Sequence, residues 1–132
     1  MENNELISLA KQKIRPKKIN SRIKLAEAVC VALSLKGNVY YAYSLQASCG
    51  LGCCAEQFVI GEMLKNDEYI ISKLVVLDKL GNILPPCGKC CELITQISSE
   101  NKKTQVVLAE TQSIELNKVF PIDWKEIKSE IL

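Results

Sequence analysis

Cys54-Ala55-Glu56, followed by Pro86-Cys87-Gly88-Lys89-Cys90, decides how this chain is read, because it offers three thiolates and one carboxylate in a protein with no histidine. Zinc in a catalytic site takes three protein ligands and leaves its fourth position to water or substrate. Cys54, Cys87 and Cys90 have the types and the spacing for that role. Glu56, two residues beyond the first ligand, is placed to take a proton from the water as a base without being a ligand. Cys54 and Cys87 lie 33 positions apart, room enough for a helix, a strand and a turn that bring the two halves together.

A first ligand, one residue, a glutamate and a later Pro-Cys-x-x-Cys form a signature of zinc deaminases, in which an all-cysteine ligand set is allowed. On these residues the chain resembles the cytidine deaminase superfamily, and in particular its free-nucleoside branch of cytidine deaminases and blasticidin S deaminases. The resemblance runs from about Arg22 to Trp124, with its specificity concentrated in the two cysteine motifs. It implies a three-layer α/β/α sandwich around a central mixed sheet, with both motifs opening neighbouring helices. It also implies a zinc ion on Cys54, Cys87 and Cys90, and a Glu56 that takes a proton from water and returns protons to the ring nitrogen and the departing ammonia. The backbone N–H of Ala55 would hold the pyrimidine carbonyl. Trp124, in Val119-Phe120-Pro121-Ile122-Asp123-Trp124, would wall the substrate pocket or a neighbour's, or cap the core, and the assembly would be a homotetramer.

The rest of the composition narrows the field. At 132 residues, nearly half of them apolar, the chain suits a single domain spanning residues 1–132 with one core. No segment approaches the roughly 18 uninterrupted apolar residues of a membrane span, and Met1-Glu2-Asn3-Asn4-Glu5 lacks the basic and apolar regions of a signal peptide, so a cytoplasmic protein is expected. The odd count of seven cysteines, with adjacent pairs at Cys53-Cys54 and Cys90-Cys91, suits a reducing compartment better than a disulfide framework. Cys30, in an apolar run, is expected to be a small buried hydrophobe, and Cys49, Cys53 and Cys91 to pack or to support the ligands. The basic run from Lys11 to Lys24 reads as a solvated surface, because no aromatic side chains interleave the charges as nucleic-acid binding would require; nucleic acid is not an expected partner. Without histidine, no Ser-His-Asp triad, Cys-His dyad or His-Glu-x-x-His helix exists. The contest is then between a deaminase and a deaminase-fold binding protein with structural zinc, in which Cys53 or Cys91 would be the fourth ligand.

Periodicity places an amphipathic helix over residues 4–14, ended by Arg15-Pro16, and a hairpin of strands near 25–35 and 39–43 around Lys36-Gly37-Asn38. A buried helix follows from Cys54, then a strand at Leu74–Leu77, a loop over 78–86, a helix from Gly88 and a strand at Val106–Ala109. The order α-β-β-α-β-α-β argues for an α/β sheet covered on both faces.

Two departures from the family pattern bear on substrate and charge. Where free-nucleoside cytidine deaminases carry Asn-x-Glu to grip the ribose, counting back from Cys54 gives Tyr43-Ser44-Leu45, so Tyr43 or Gln46 becomes the candidate sugar contact. That weakens cytidine as the substrate in favour of a 4-aminopyrimidine with a modified sugar such as blasticidin S. Where those relatives have arginine after the last ligand, this chain has Cys91 and Glu92, leaving Lys89 or the helix N-termini to offset the thiolate charge. The expected activity is zinc-dependent hydrolytic removal of the 4-amino group of a cytosine-type nucleoside or nucleoside antibiotic.

Overall fold

The computed structural model describes residues 1–121. Helix α1 (Asn3–Lys13) opens on a capping box in which Glu2 and Glu5 satisfy each other's backbone N–H groups. Strands β1 (Lys17–Lys18), β2 (Lys24–Ser34) and β3 (Val39–Gln46) follow, then helix α2 (Ala55–Lys65), strands β4 (Ile71–Asp78) and β5 (Ile83–Leu84), and helix α3 (Gly88–Ile97). Strands β6 (Gln105–Ala109) and β7 (Gln112–Glu115) and a short helix α4 (Leu116–Val119) complete the described part. Among the described residues no helix is long and apolar enough to cross a membrane.

The sheet is mixed. Its main path runs β1-β2-β4-β6-β7, with β3 on β2 and β5 on β4; β4 and β6 are parallel and the other pairs antiparallel. Its central strands are continuous apolar runs because both faces are covered, as period-2 alternation makes plain. Val29, Val31, Val75, Leu77 and Val107 pack against Leu6, Ile7 and Ala10 of α1. Their neighbours Cys30, Ala32, Leu74, Val76 and Val106 point the other way, into a core with Val59, Ile60 and Met63 of α2 and Ile94 of α3. Three layers result, as expected, and Cys30 is the buried apolar residue its context suggested.

Some segments differ from expectation. The stretch 78–86 is not all loop: Asp78 accepts from the N–H groups of Leu80 and Asn82, each at 2.9 Å, and closes a tight turn that lets β5 pair back on β4. Strands β1 and β7 and helix α4 carry too few apolar residues for periodicity to mark them. The 3₁₀ turn at Ser99–Lys103 buries Asn101, whose side chain accepts from Ile71 N–H at 2.8 Å and donates to Tyr69 and Ile94 carbonyls, each at 3.0 Å.

One buried carboxylate ties the β2–β3 turn to the loop after α2. Glu68 accepts from the Ser34 hydroxyl at 2.5 Å, the Asn38 amide at 3.0 Å and the Tyr40 hydroxyl. The Ser34 hydroxyl, with the Tyr40 hydroxyl and the Asn38 amide, holds the Glu68 carboxyl below its ordinary value, and the hydrogen bond to Glu68 pushes Tyr40 up to about 12. A depressed carboxylate stabilises the fold fully above its unfolded value of 4.5, and the stabilisation is lost as pH falls through the lower folded value. Glu68→Gln should therefore unfold at a lower temperature than the parent at pH 7, the gap narrowing steadily below about pH 4.5. Thermal melts of both proteins across that range check this, and a gap that does not depend on pH would refute it.

Candidate metal centre and active site

Both motif helices begin on a cysteine. Cys54 is the N-cap of α2 and Cys87 the N-cap of α3, while Cys90 is the third residue inside α3. The N-cap is ordinarily a polar residue facing backbone N–H groups that lack intrahelical acceptors, so a thiolate there meets the positive end of a helix dipole. Two such ends converge on one point. The three sulfurs lie within 4.8 Å of one another, with Cys54 Sγ to Cys87 Sγ at 3.8 Å and Cys87 Sγ to Cys90 Sγ at 3.5 Å. Tetrahedral zinc with Zn–S bonds of about 2.3 Å sets its sulfurs about 3.8 Å apart, so the donor set fits zinc.

The chain reaches this geometry through a close backbone contact. Leu45, at the end of β3, and Cys53 exchange two backbone hydrogen bonds of 2.9 Å, which anchors the segment leading into Cys54. Between them the chain turns through Ser48–Gly50, with Cys49 at φ 62° and Gly50 at φ 68°. A Cβ on Gly52 would stand 2.5 Å from the Leu45 carbonyl oxygen, so only glycine fits there.

Burial and charge distinguish the sulfurs. Cys90 is fully buried, and burial, followed by the Glu56 carboxylate, pushes its thiol well above the ordinary range. Burial likewise raises Cys54. For Cys87 burial acts upward, but the Cys90 N–H and thiol and the Cys54 thiol outweigh it and lower the value. A dication held among them would override these shifts, because a coordinating thiol is deprotonated outright.

Glu56, only 6% exposed, lies on the second helical position of α2 beside Cys90. Ala55 is the first residue of α2, so its N–H has no intrahelical acceptor, and it lines the same cavity. That cavity, about 650 Å³, extends from Cys54, Glu56 and Cys87 to Glu27, Ser44 and Gln46, with Val76, Leu84 and Pro85 along its wall. Its volume suits a small organic ligand.

With this geometry established, comparison with solved structures is informative. No protein-family model matches the sequence, and no curated protein does either. The three-dimensional structure does match: cytidine deaminase from Mycobacterium tuberculosis superposes with a TM-score of 0.75 over 92% of this chain and 95% of that one, at 21% identity. Cytidine deaminase from Mycobacterium leprae gives 0.73 over 90% and 97% at 16% identity, and that from Bacillus anthracis 0.68 over 94% and 90% at 16%.

This chain has the cytidine deaminase fold.

Within that fold, Cys54, Cys87, Cys90, Glu56 and Ala55 come together around one cavity. Tyr43 does not join them. Strand alternation turns it to the α1 face, where its hydroxyl donates to the Lys13 carbonyl at 2.7 Å. Ser44 and Gln46, two residues apart on the same strand, line the cavity, and Tyr43 does not. Trp124 lies outside the described residues. Neither Cys53 nor Cys91 enters the sulfur cluster. Cys53 lines the cavity, and Cys91 is buried in the core with its thiol pushed up to about 11 by burial. Lys89, between the two ligands of α3, lines the cavity and can offset thiolate charge.

Cys54→Ala, Cys87→Ala and Cys90→Ala should each lose bound zinc, whereas Cys53→Ala and Cys91→Ala should keep it, as metal analysis of the purified proteins would show. Zinc retained by Cys54→Ala, or lost from Cys53→Ala, would mean the first ligand is misassigned. Gly52→Ala, which must push the Leu45 carbonyl away, should cost about 1–3 kcal/mol in denaturant unfolding and weaken zinc binding.

Proposed function

We propose that this protein is a zinc-dependent hydrolytic deaminase that removes the 4-amino group of a cytosine-type nucleoside or nucleoside antibiotic as ammonia. The observation that supports it is a buried carboxylate, Glu56, beside a three-sulfur cluster that has no fourth protein ligand among the described residues. A structural zinc site normally closes its coordination sphere, and a catalytic one leaves a position open. Zinc held by Cys54, Cys87 and Cys90 would supply a Lewis acid that lowers the pKa of a water to near neutrality.

The remaining chemistry belongs to the chain. Glu56 takes a proton from the attacking water as its oxygen adds to C4 of the ring and passes that proton to N3. It then moves a second proton to the amino nitrogen, the C4–N bond breaks, and ammonia leaves as the C4 carbonyl forms. The Ala55 N–H holds the ring carbonyl in this reading. The Cys54 and Cys87 caps put two helix N-termini, with Lys89, beside the thiolates, which offsets charge that the relatives meet with an arginine. At position 91 a buried cysteine stands in the core instead.

Ser44 and Gln46 line the cavity where the ribose-gripping Asn-x-Glu of cytidine deaminases is missing from the sequence, which supports a modified sugar over ribose. A homotetramer and a reducing, cytoplasmic setting that keeps the ligands as thiols belong to the same proposal. Glu56→Gln should retain zinc and the fold and lose activity by a factor of about 10² to 10⁴. Ammonia release by zinc-loaded parent protein from blasticidin S should exceed that from cytidine in kcat/KM. Undiminished activity in Glu56→Gln would remove the proton-transfer role, and efficient turnover of cytidine alone would overturn the sugar argument.

A further inference from the structure

The cavity lining includes a carboxylate that the proposed reaction does not use. Strand β2 bulges where its register with β3 shifts between Leu25 and Val29, and Ala26 takes a φ of 65° within that bulge. The bulge interrupts the ladder: Ala28 N–H donates to the Ser44 hydroxyl at 2.9 Å in place of a backbone acceptor. Glu27, its side chain 20% exposed, lies in that bulge and lines the cavity with Ser44 and Gln46.

Lys79 Nζ reaches Glu27 Oε2 at 2.9 Å, but Lys79 is half exposed and does not line the cavity. Glu27 Oε1 has no hydrogen-bond partner among the described residues. An ion pair this exposed is weak and leaves the carboxylate available to a ligand. Among the described residues that line the cavity, two carboxylates, Glu27 and Glu56, stand against one cation, Lys89. A cleft lined by one sign of charge concentrates ligands of the opposite sign and repels its own.

We infer that Glu27 determines specificity, its carboxylate receiving a positively charged group carried on the sugar of the substrate and turning away a phosphate there. This rests on the proposed deaminase reading and narrows it to cationic 4-aminopyrimidine nucleosides over nucleotides. Ring chemistry stays with Ala55, Glu56 and the cysteines, while Glu27, Ser44 and Gln46 read the sugar end.

Calorimetric titration of zinc-loaded protein in a Glu56→Gln background, with cytidine, its 5′-amino-5′-deoxy and 3′-amino-3′-deoxy analogues, and cytidine 5′-phosphate, tests this. One or both amines should bind about tenfold more tightly than cytidine and the phosphate about tenfold more weakly, a modest effect for one partly screened charge. Adding Glu27→Gln should flatten that spread. Adding Lys79→Met, which removes the competing cation without touching the cavity, should widen it. A merely structural ion pair would make these two changes act alike, and that outcome, an unaltered spread in Glu27→Gln, or no preference for either amine would overturn the inference. Ammonia release by the parent is scored separately: its absence from every compound would sink the deaminase reading, while the binding spread would still decide the role of Glu27.

Discussion

Helices α2 and α3 have to begin side by side, each on a cysteine, for three sulfurs to lie within 4.8 Å of one another. Much of the architecture serves that constraint. Both helices pack on one face of the sheet, so their N-termini open at the same edge, over the ends of β3 and β4. The Leu45–Cys53 bridge and the tight approach at Gly52 set the height at which α2 starts. Pro85-Pro86, after the short return strand β5, leads into α3. Helix α1 covers the opposite face and holds the sheet from behind without entering the site.

Placing these groups at helix N-termini also answers an electrostatic difficulty. Glu56 and three thiols are crowded together, Glu56 and Cys90 buried, Cys54 half-buried and Cys87 exposed, and burial, with the Glu56 carboxylate adding to it, raises the Cys90 and Cys54 thiols. Unpaired buried negative charge is costly, and such sites accept it where helix dipoles, backbone N–H groups and a metal are arranged to receive it. Beside the β2 bulge, Glu27 adds a second carboxylate to the lining of the same cavity. Elsewhere the buried carboxylate of Glu68 is supplied with hydroxyl and amide donors and acts in the scaffold.

The elements with strong signals were legible in the sequence. Leu6, Ile7 and Ala10 marked α1, the apolar runs at 25–35 and 74–77 marked strands, and Gly37 marked the hairpin turn. The motif spacing singled out Cys54, Cys87, Cys90 and Glu56 because ligand chemistry restricts residue type and order along the chain. Strands β1, β5 and β7 are too short for periodicity to reveal, since their pairing depends on neighbours distant in the chain. The turn of Tyr43 toward α1 was not legible for a related reason: counting residues back from Cys54 says nothing about which face of β3 each side chain takes.

What the sequence alone determined is the set of reactive groups and their order, because a thiol or a carboxylate is a property of the residue itself. It also determined the alternation of apolar helices and strands, because that periodicity is written locally. The tertiary structure decided which groups share a cavity. The phase of β3 sends Tyr43 to α1 and presents Ser44 and Gln46, and a left-handed Ala26 in the β2 bulge swings Glu27 into view. The physical reason is that a strand's period of two makes a single-residue shift reverse every side chain, and register is settled by pairing across the sheet.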